Sequence, residues 1–330
     1  MKVKLEEIAK KSGYSVATVS RVLTGKSKGR SQSVKDILLT ARDLGYRTSS
    51  VRYTNLDLPV DIALITQHDA EEFYSCLYES FDRIASKKNI HLSIHSAKYS
   101  KSITEQIHIL SKYNDGVILM APTLDKEGYK NIIAKIGSFP IISIAPVDGN
   151  IVPTITFDSY EGGRLAAEIL VDSDYQNFGI ITGPLEKLEA NLRRNGFQDY
   201  LRKKGYKINW EFQGNYSFSS GEIAFENIKK HKKSSLGIFS SNDQMALGFL
   251  HTALENGATV PGDFGIIGYD NMPYSKVFYP KLSTINTNLD LLAKNTLEYI
   301  IREIKIPQKG ITNPTTTLLP VELIKRRTHK

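Results

Sequence analysis

Between Leu5 and Leu44 the apolar positions recur at intervals of three and four. Leu5, Ile8 and Ala9 form one stripe, which predicts a first short helix over a small core. Gly13 breaks the pattern. Ser15 is suited to cap a second helix, because its hydroxyl can accept an orphan backbone N–H, and Val19, Val22 and Leu23 supply that helix's buried face. A third helix follows, with Ser31 or Ser33 as cap, Val34, Ile37, Leu38, Ala41 and Leu44 facing inward, and Gly45 as its end. Residues 46–59, YRTSSVRYTNLDLP, are polar, close on a proline and read as a linker.

After the linker the period changes. Short runs of consecutive apolar residues occur at 61–66, 90–96, 115–121, 140–145, 177–183, 236–243 and 264–270. Segments with helix-like stripes separate them. This alternation predicts parallel strands buried on both faces, and so a doubly wound α/β body. With the later segments STINT at 283–287 and TTTLLPVEL at 315–323 there are more strands than one compact sheet usually holds. Two parallel-sheet lobes are expected behind an all-α head.

A chain of 330 residues with 41% hydrophobic content is long and apolar enough for two or three domains with sizeable cores. The single cysteine, Cys76, rules out an internal disulfide. No run approaches membrane-spanning length. Nothing at Met1 resembles a secretory leader, so a cytoplasmic protein is expected. Charge is uneven. Residues 1–59 hold twelve Lys or Arg against five acids, a net +7, whereas the other 271 residues together carry +1. A basic head on a nearly neutral body suits phosphate attraction confined to one end. The histidines and scattered acids show no closed metal-site spacing, and the phosphate-loop, dinucleotide and nucleophile-elbow motifs are missing. Neither an enzyme nor a cofactor is expected.

The second helix leaves Val16, Ala17, Ser20 and Arg21 on its open face, with Ser15 and Thr18 beside its N-terminus. A helix N-terminus in a major groove could set Val16 and Ala17 on thymine methyls, pair Arg21 with a guanine, and hold a phosphate near Thr18. An ordinary helical hairpin with a solvated arginine would show the same periodicity. The words decide between them: A9-K-K-S-G-Y-S-V-A-T-V-S-R-V-L-T-G25 closely resembles the N-terminal helix-turn-helix of the LacI/GalR family of transcriptional regulators.

The resemblance extends through SNDQMALG, GYDNMPYSKVFYPKLSTI and LLPVELIKR, which look like that family's effector-binding core, itself similar to periplasmic sugar-binding proteins. It implies a DNA-binding domain at 1–45, a linker or hinge at 46–59, and a core at 60–330. The core's lobes would be discontinuous, roughly 60–157 with 289–316, and 158–285 with 317–330. It also implies effector contacts. Arg193 would hold hydroxyls or a carboxylate, Asn242 and Asp270 would reach the ligand from the C-terminal lobe, and Tyr216 would pack on it. Gln67, with Thr66 and Met120, sits at a first-lobe strand end where it could complete the pocket. By spacing alone, Asn or Asp after a strand is equally the N-cap of the next helix.

Planar polar groups beside an aromatic face suit a sugar. The implied protein is therefore a homodimeric repressor of carbohydrate-utilisation genes whose operator affinity changes when a sugar binds. A nucleobase or phosphoprotein corepressor is the alternative. Two departures from the family stand out. Ile144-Ala145-Pro146 replaces an aspartate found in lactose-type relatives. Asn55 replaces the hinge leucine expected to wedge into the minor groove, with Leu56 one residue late. A shifted hinge using Leu56 is expected. The basic tail, Lys325 to Lys330, lacks a leucine heptad, so a dimer rather than a tetramer is implied.

Overall fold

The structure, a computed structural model, describes residues 3–24, 26, 31–44, 46, 59–67, 72–100, 102–229, 235–305 and 314–330. Gly45, Asn55, Leu56 and nearly all of the expected hinge lie outside these. The head is three helices, α1 (Leu5–Ser12), α2 (Val16–Leu23) and α3 (Gln32–Asp43). Ile8, Val19 and Ile37 are completely buried at its centre, surrounded by Ala9, Val22, Leu23, Val34, Leu38 and Ala41. Gly13 ends α1 in the left-handed conformation, φ +76°, and its N–H reaches the Ala9 carbonyl. A residue with a side chain would be strained in this cap. The Ser15 hydroxyl caps α2 by accepting the Thr18 N–H at 3.2 Å. Of the two serines expected to cap α3, Ser31 stands at its start, with its carbonyl accepting from Val34 and Lys35, while Ser33 falls inside the helix.

The first lobe begins with β1 (Val60–Thr66), α4 (Glu72–Ser86), β2 (Ile90–Ser96), α5 (Ile103–Leu110), β3 (Gly116–Met120), α6 (Lys126–Ile136), β4 (Ile141–Ser143) and β5 (Thr154–Phe157). The second follows with α7 (Ser159–Asp172), β6 (Phe178–Thr182), α8 (Leu188–Lys203), β7 (Ile208–Gln213), α9 (Phe218–Lys229), β8 (Leu236–Ser240), α10 (Asp243–Glu255), β9 (Phe264–Asp270), α11 (Pro273–Val277) and β10 (Ser283–Asn286). The chain then returns to the first lobe with α12 (Leu289–Lys305) and β11 (Thr316–Leu319), and ends in the second with β12 (Glu322–Ile324).

Each lobe holds a six-stranded sheet, ordered β11-β5-β4-β3-β1-β2 and β12-β10-β9-β8-β6-β7. Every pairing is parallel except the antiparallel one between β10 and β12. The central strands β1, β6, β8 and β9 are buried along all or most of their length, so their sequences are apolar on both faces. Pro320 explains why TTTLLPVEL is two strands and not one. It brings no N–H to a ladder, and the chain changes sheets there. Because β11 pairs with β5, the last crossing between lobes falls after Leu319, three residues beyond the boundary expected at 316.

Two strands escaped the periodicity. Edge strand β7 alternates half-buried Ile208, Trp210 and Phe212 with exposed Asn209, Glu211 and Gln213, so it has no continuous apolar run. In β5 half the buried positions are threonines. Among the described residues no helix is long and apolar enough to cross a membrane.

Candidate functional site

On α2, packing fixes what is left open. With Val19, Val22 and Leu23 buried, Val16, Ala17 and Arg21 are exposed and Thr18 and Ser20 half-buried along one side. The hydroxyls of Ser15 and Thr18 lie 2.8 Å apart at the helix N-terminus. Tyr14 steadies the turn before α2 by donating to Asp36 of α3 at 3.0 Å. The face therefore combines an exposed cation, two small apolar groups and hydroxyls, on a helix whose positive dipole end points outward.

The other candidate lies at the carboxyl ends of the second sheet, where parallel α/β folds gather their loops. Residues distant in sequence meet there: Thr182 ends β6, Glu189 and Arg193 lie on α8, Tyr216 follows β7, Ser241 and Asn242 follow β8, and Asp270 ends β9. Arg193 is 9% exposed. Its Nη1 donates to the Ser241 carbonyl at 2.6 Å, its Nη2 lies 3.9 Å from Asp270 Oδ1, and its guanidinium carbon sits 3.7 Å from the centroid of the Tyr269 ring. One cation is thus shared between a carbonyl, a carboxylate and an aromatic face.

Glycines set its position. A Cβ on Gly163 of α7 would lie 1.9 Å from the Arg193 carbonyl oxygen, and one on Gly196 of α8 would lie 1.9 Å from that of Tyr160. Only bare backbone allows the two helices this approach.

Asn242 has the N-cap role that spacing allowed, and its amide nitrogen makes a second bond. Its Oδ1 accepts the Met245 N–H at 3.0 Å and caps α10, while its Nδ2 donates to the Tyr216 carbonyl at 2.8 Å. That second bond holds Tyr216 in a left-handed conformation, φ +74°. The Tyr216 ring packs against Gly183, and Lys187 Nζ lies 5.0 Å from its centroid. Burial raises the Tyr216 phenol well above its ordinary range and also pushes the Glu189 carboxyl up, against the pull of Arg193.

Several buried polar atoms in this region have no hydrogen-bond partner: Thr182 Oγ1, Glu189 Oε2, Arg193 Nε, Tyr216 OH and Ser241 Oγ. Buried polar groups are ordinarily paired, so this cluster has free donors and acceptors that a polar ligand could satisfy.

The Tyr74 phenol of α4, in the first lobe, adds slightly to the upward shift of the Tyr216 phenol. Gln67 is differently engaged. Its Oε1 accepts from the Thr123 backbone and hydroxyl at 3.2 and 2.8 Å, tying the ends of β1 and β3 together. Thr66 is likewise occupied, 2.6 Å from the Tyr78 hydroxyl, and Ile144 and Ala145 are core residues. Sequence reasoning missed Lys187 and Glu189. Both lie in L185-E-K-L-E-A-N191, a charged stretch opening a helix directly after a buried strand, a pattern that a solvated helix start shares.

Comparison with known proteins gives matches at both ends of the chain. A profile of bacterial regulatory proteins of the lacI family matches residues 4–49, and one of periplasmic binding protein-like domains matches residues 167–329. The chain is 29% identical over 292 residues to catabolite control protein A of Priestia megaterium, covering 86% of this chain and 87% of the relative. It is 25% identical over 333 residues to the HTH-type transcriptional repressor PurR of Histophilus somni (strain 129Pt), covering 99% and 98%. Among solved structures it resembles a dimeric Lac repressor with an 11-residue C-terminal deletion, with TM-score 0.74, 25% identity and coverage of 82% and 98%.

Proposed function

We propose that the chain is a LacI-family DNA-binding transcriptional repressor whose effector is a sugar, bound between the lobes against Arg193, Tyr216, Asn242 and Asp270. The observation that carries this reading is the cluster of five unpartnered buried polar atoms beside the Tyr216 ring. A sugar brings hydroxyls that donate and accept in the same plane, and a C–H face that packs on an aromatic ring. Glu189 and Lys187 belong to the same pocket.

In this reading two chains pair so that two heads, through Ser15, Val16, Ala17, Thr18, Ser20 and Arg21, read two half-sites of an operator in the cytoplasm. Sugar binding favours one arrangement of the lobes, and Leu56 in the linker relays the change to the operator centre. A coupling of about 1–3 kcal/mol would alter operator affinity roughly 5- to 150-fold. The genes under control would serve carbohydrate use.

The test is a thermal-shift screen of the purified chain against mono- and disaccharides, sugar phosphates and purines, since a ligand that binds only the native state raises the melting temperature. A shift with one sugar that disappears in Arg193→Ala supports the reading. A shift with a purine alone replaces it by corepression, and no shift with any compound turns attention to a protein partner.

A further inference from the structure

Asp270 to Tyr274, which joins β9 to α11, belongs to the second lobe by sequence yet is held by both lobes. At its start Asp270 and Asn271 have φ of +104° and +58°, a conformation that side chains disfavour. Surrounding bonds impose it. The Asn271 N–H donates to Thr284 Oγ1 at 3.3 Å, its Nδ2 donates to Asn286 Oδ1 at 2.8 Å, and Arg326 donates to its Oδ1.

The next residue crosses the cleft. Met272 is buried in the core formed by β1, α4 and α12 of the first lobe, while its N–H stays bonded to Asp243 of the second at 2.8 Å. Then Glu72, in the first turn of α4, receives both remaining contacts. Its Oε1 accepts the Tyr274 N–H at 3.1 Å, and its Oε2 accepts from Gln244 Nε2 of α10 at 3.2 Å.

We propose that Glu72 is the first-lobe half of a clasp across the cleft, which holds the lobes in this arrangement and ties any displacement of Asp270 to the first lobe through residues 270–274. One carboxylate with one bond per oxygen, to two different elements of the opposite lobe, is a two-point attachment. Separating the lobes breaks both points together. Glu72 and Gln244 are not among the residues assigned to the pocket, so the clasp sets how readily the lobes part before any ligand enters. It does not depend on the ligand being a sugar.

The test therefore uses the full-length chain without ligand. Spin labels on cysteines replacing exposed Lys130 in the first lobe and Lys203 in the second, in a Cys76→Ser background, report the distance between lobes by double electron–electron resonance. Dilution with unlabelled chain removes distances between subunits. Glu72→Ala should shift the distribution to longer, broader distances. Gln244→Ala, and Glu72→Gln, which keeps volume and one acceptor oxygen, should each shift it part of the way. Gln244→Ala added to Glu72→Ala should produce nothing further, because the shared contact is already gone. Should Glu72→Ala fail to fold, the two milder variants still carry the comparison. Distributions that superimpose on the unmutated background, or shifts that simply add in the double variant, would overturn the clasp.

Discussion

Replacing Gly163 with alanine adds one methyl group at the point where α7 and α8 touch backbone to backbone. That methyl would stand 1.9 Å from the Arg193 carbonyl oxygen, whereas a carbon and a carbonyl oxygen settle no closer than about 3.3 Å. Helix α8 must therefore retreat by roughly 1 Å or more. Arg193 rides on that helix, and its 2.6 Å bond to the Ser241 carbonyl would stretch beyond useful length. Overpacking costs about 1–3 kcal/mol. Weakening a bond from a charged donor adds ~1.5–3 kcal/mol, so a total loss of roughly 2.5–6 kcal/mol is expected against a typical stability of ~5–15 kcal/mol.

The variant should fold, unfold at lower urea, and lose the melting-temperature response to the effector. Gly205→Ala is the control. Gly205 has φ +83° and no atom within 4 Å of its missing Cβ, so alanine there should cost about 1–2 kcal/mol of backbone strain and leave the response intact. If Gly163→Ala unfolds within ~0.5 kcal/mol of the original chain, the range of an ordinary surface change, and still responds to ligand, then the glycine contact does not position Arg193.

Other outcomes follow from the same geometry. Arg21→Ala should cost about 1–3 kcal/mol of operator binding and relax the preference at one base position; an equal loss on all sequences in a binding titration would make Arg21 a phosphate contact only. Arg193→Ala should leave operator binding in place and abolish the ligand response, which calorimetry and gel-shift titration can separate. Burial holds the Glu189 carboxyl above its ordinary range. The folded chain therefore holds this proton more tightly than the unfolded chain does, and the resulting contribution to stability is complete below the unfolded value of about 4.3 and is lost as pH rises through the raised folded value. Glu189→Gln should accordingly gain stability relative to the original chain at neutral pH and not at acid pH in paired urea titrations; parallel curves at all pH values would sink this.

Much of the fold could be read because buried parallel strands have no polar face to interrupt them. Runs such as FGIIGYD mark β9 to the residue. Edge strand β7 could not be read, because its alternation is shared by loops that cover a surface. The head was legible for a related reason: among the described residues nine buried apolar side chains form its centre, and their spacing is set by three short helices.

The cleft was only half legible. Asn242 and Asp270 follow strands visibly, but nothing local distinguishes Glu189 from a solvated glutamate, since its burial arises when α8 closes over distant parts of the second sheet. Gln67 shows the converse. It stands at a strand end, as a binding residue would, and its side-chain oxygen is used within its own lobe.

The pairing of β11 with β5 also constrains how the molecule is made. Thr154 to Phe157 must wait for Thr316 to Leu319, which leave the ribosome only after β6 to β10 of the second lobe have been synthesised. Until then the first lobe lacks both an edge strand and the α12 side chains Leu292, Leu297 and Ile300 that cover its core. The second lobe, needing only β12 from the tail, can assemble most of its sheet earlier. Folding is thus ordered from the middle of the chain outwards, and the unfinished first lobe exposes apolar surface for the longest time, which makes it the part most in need of protection from aggregation during synthesis.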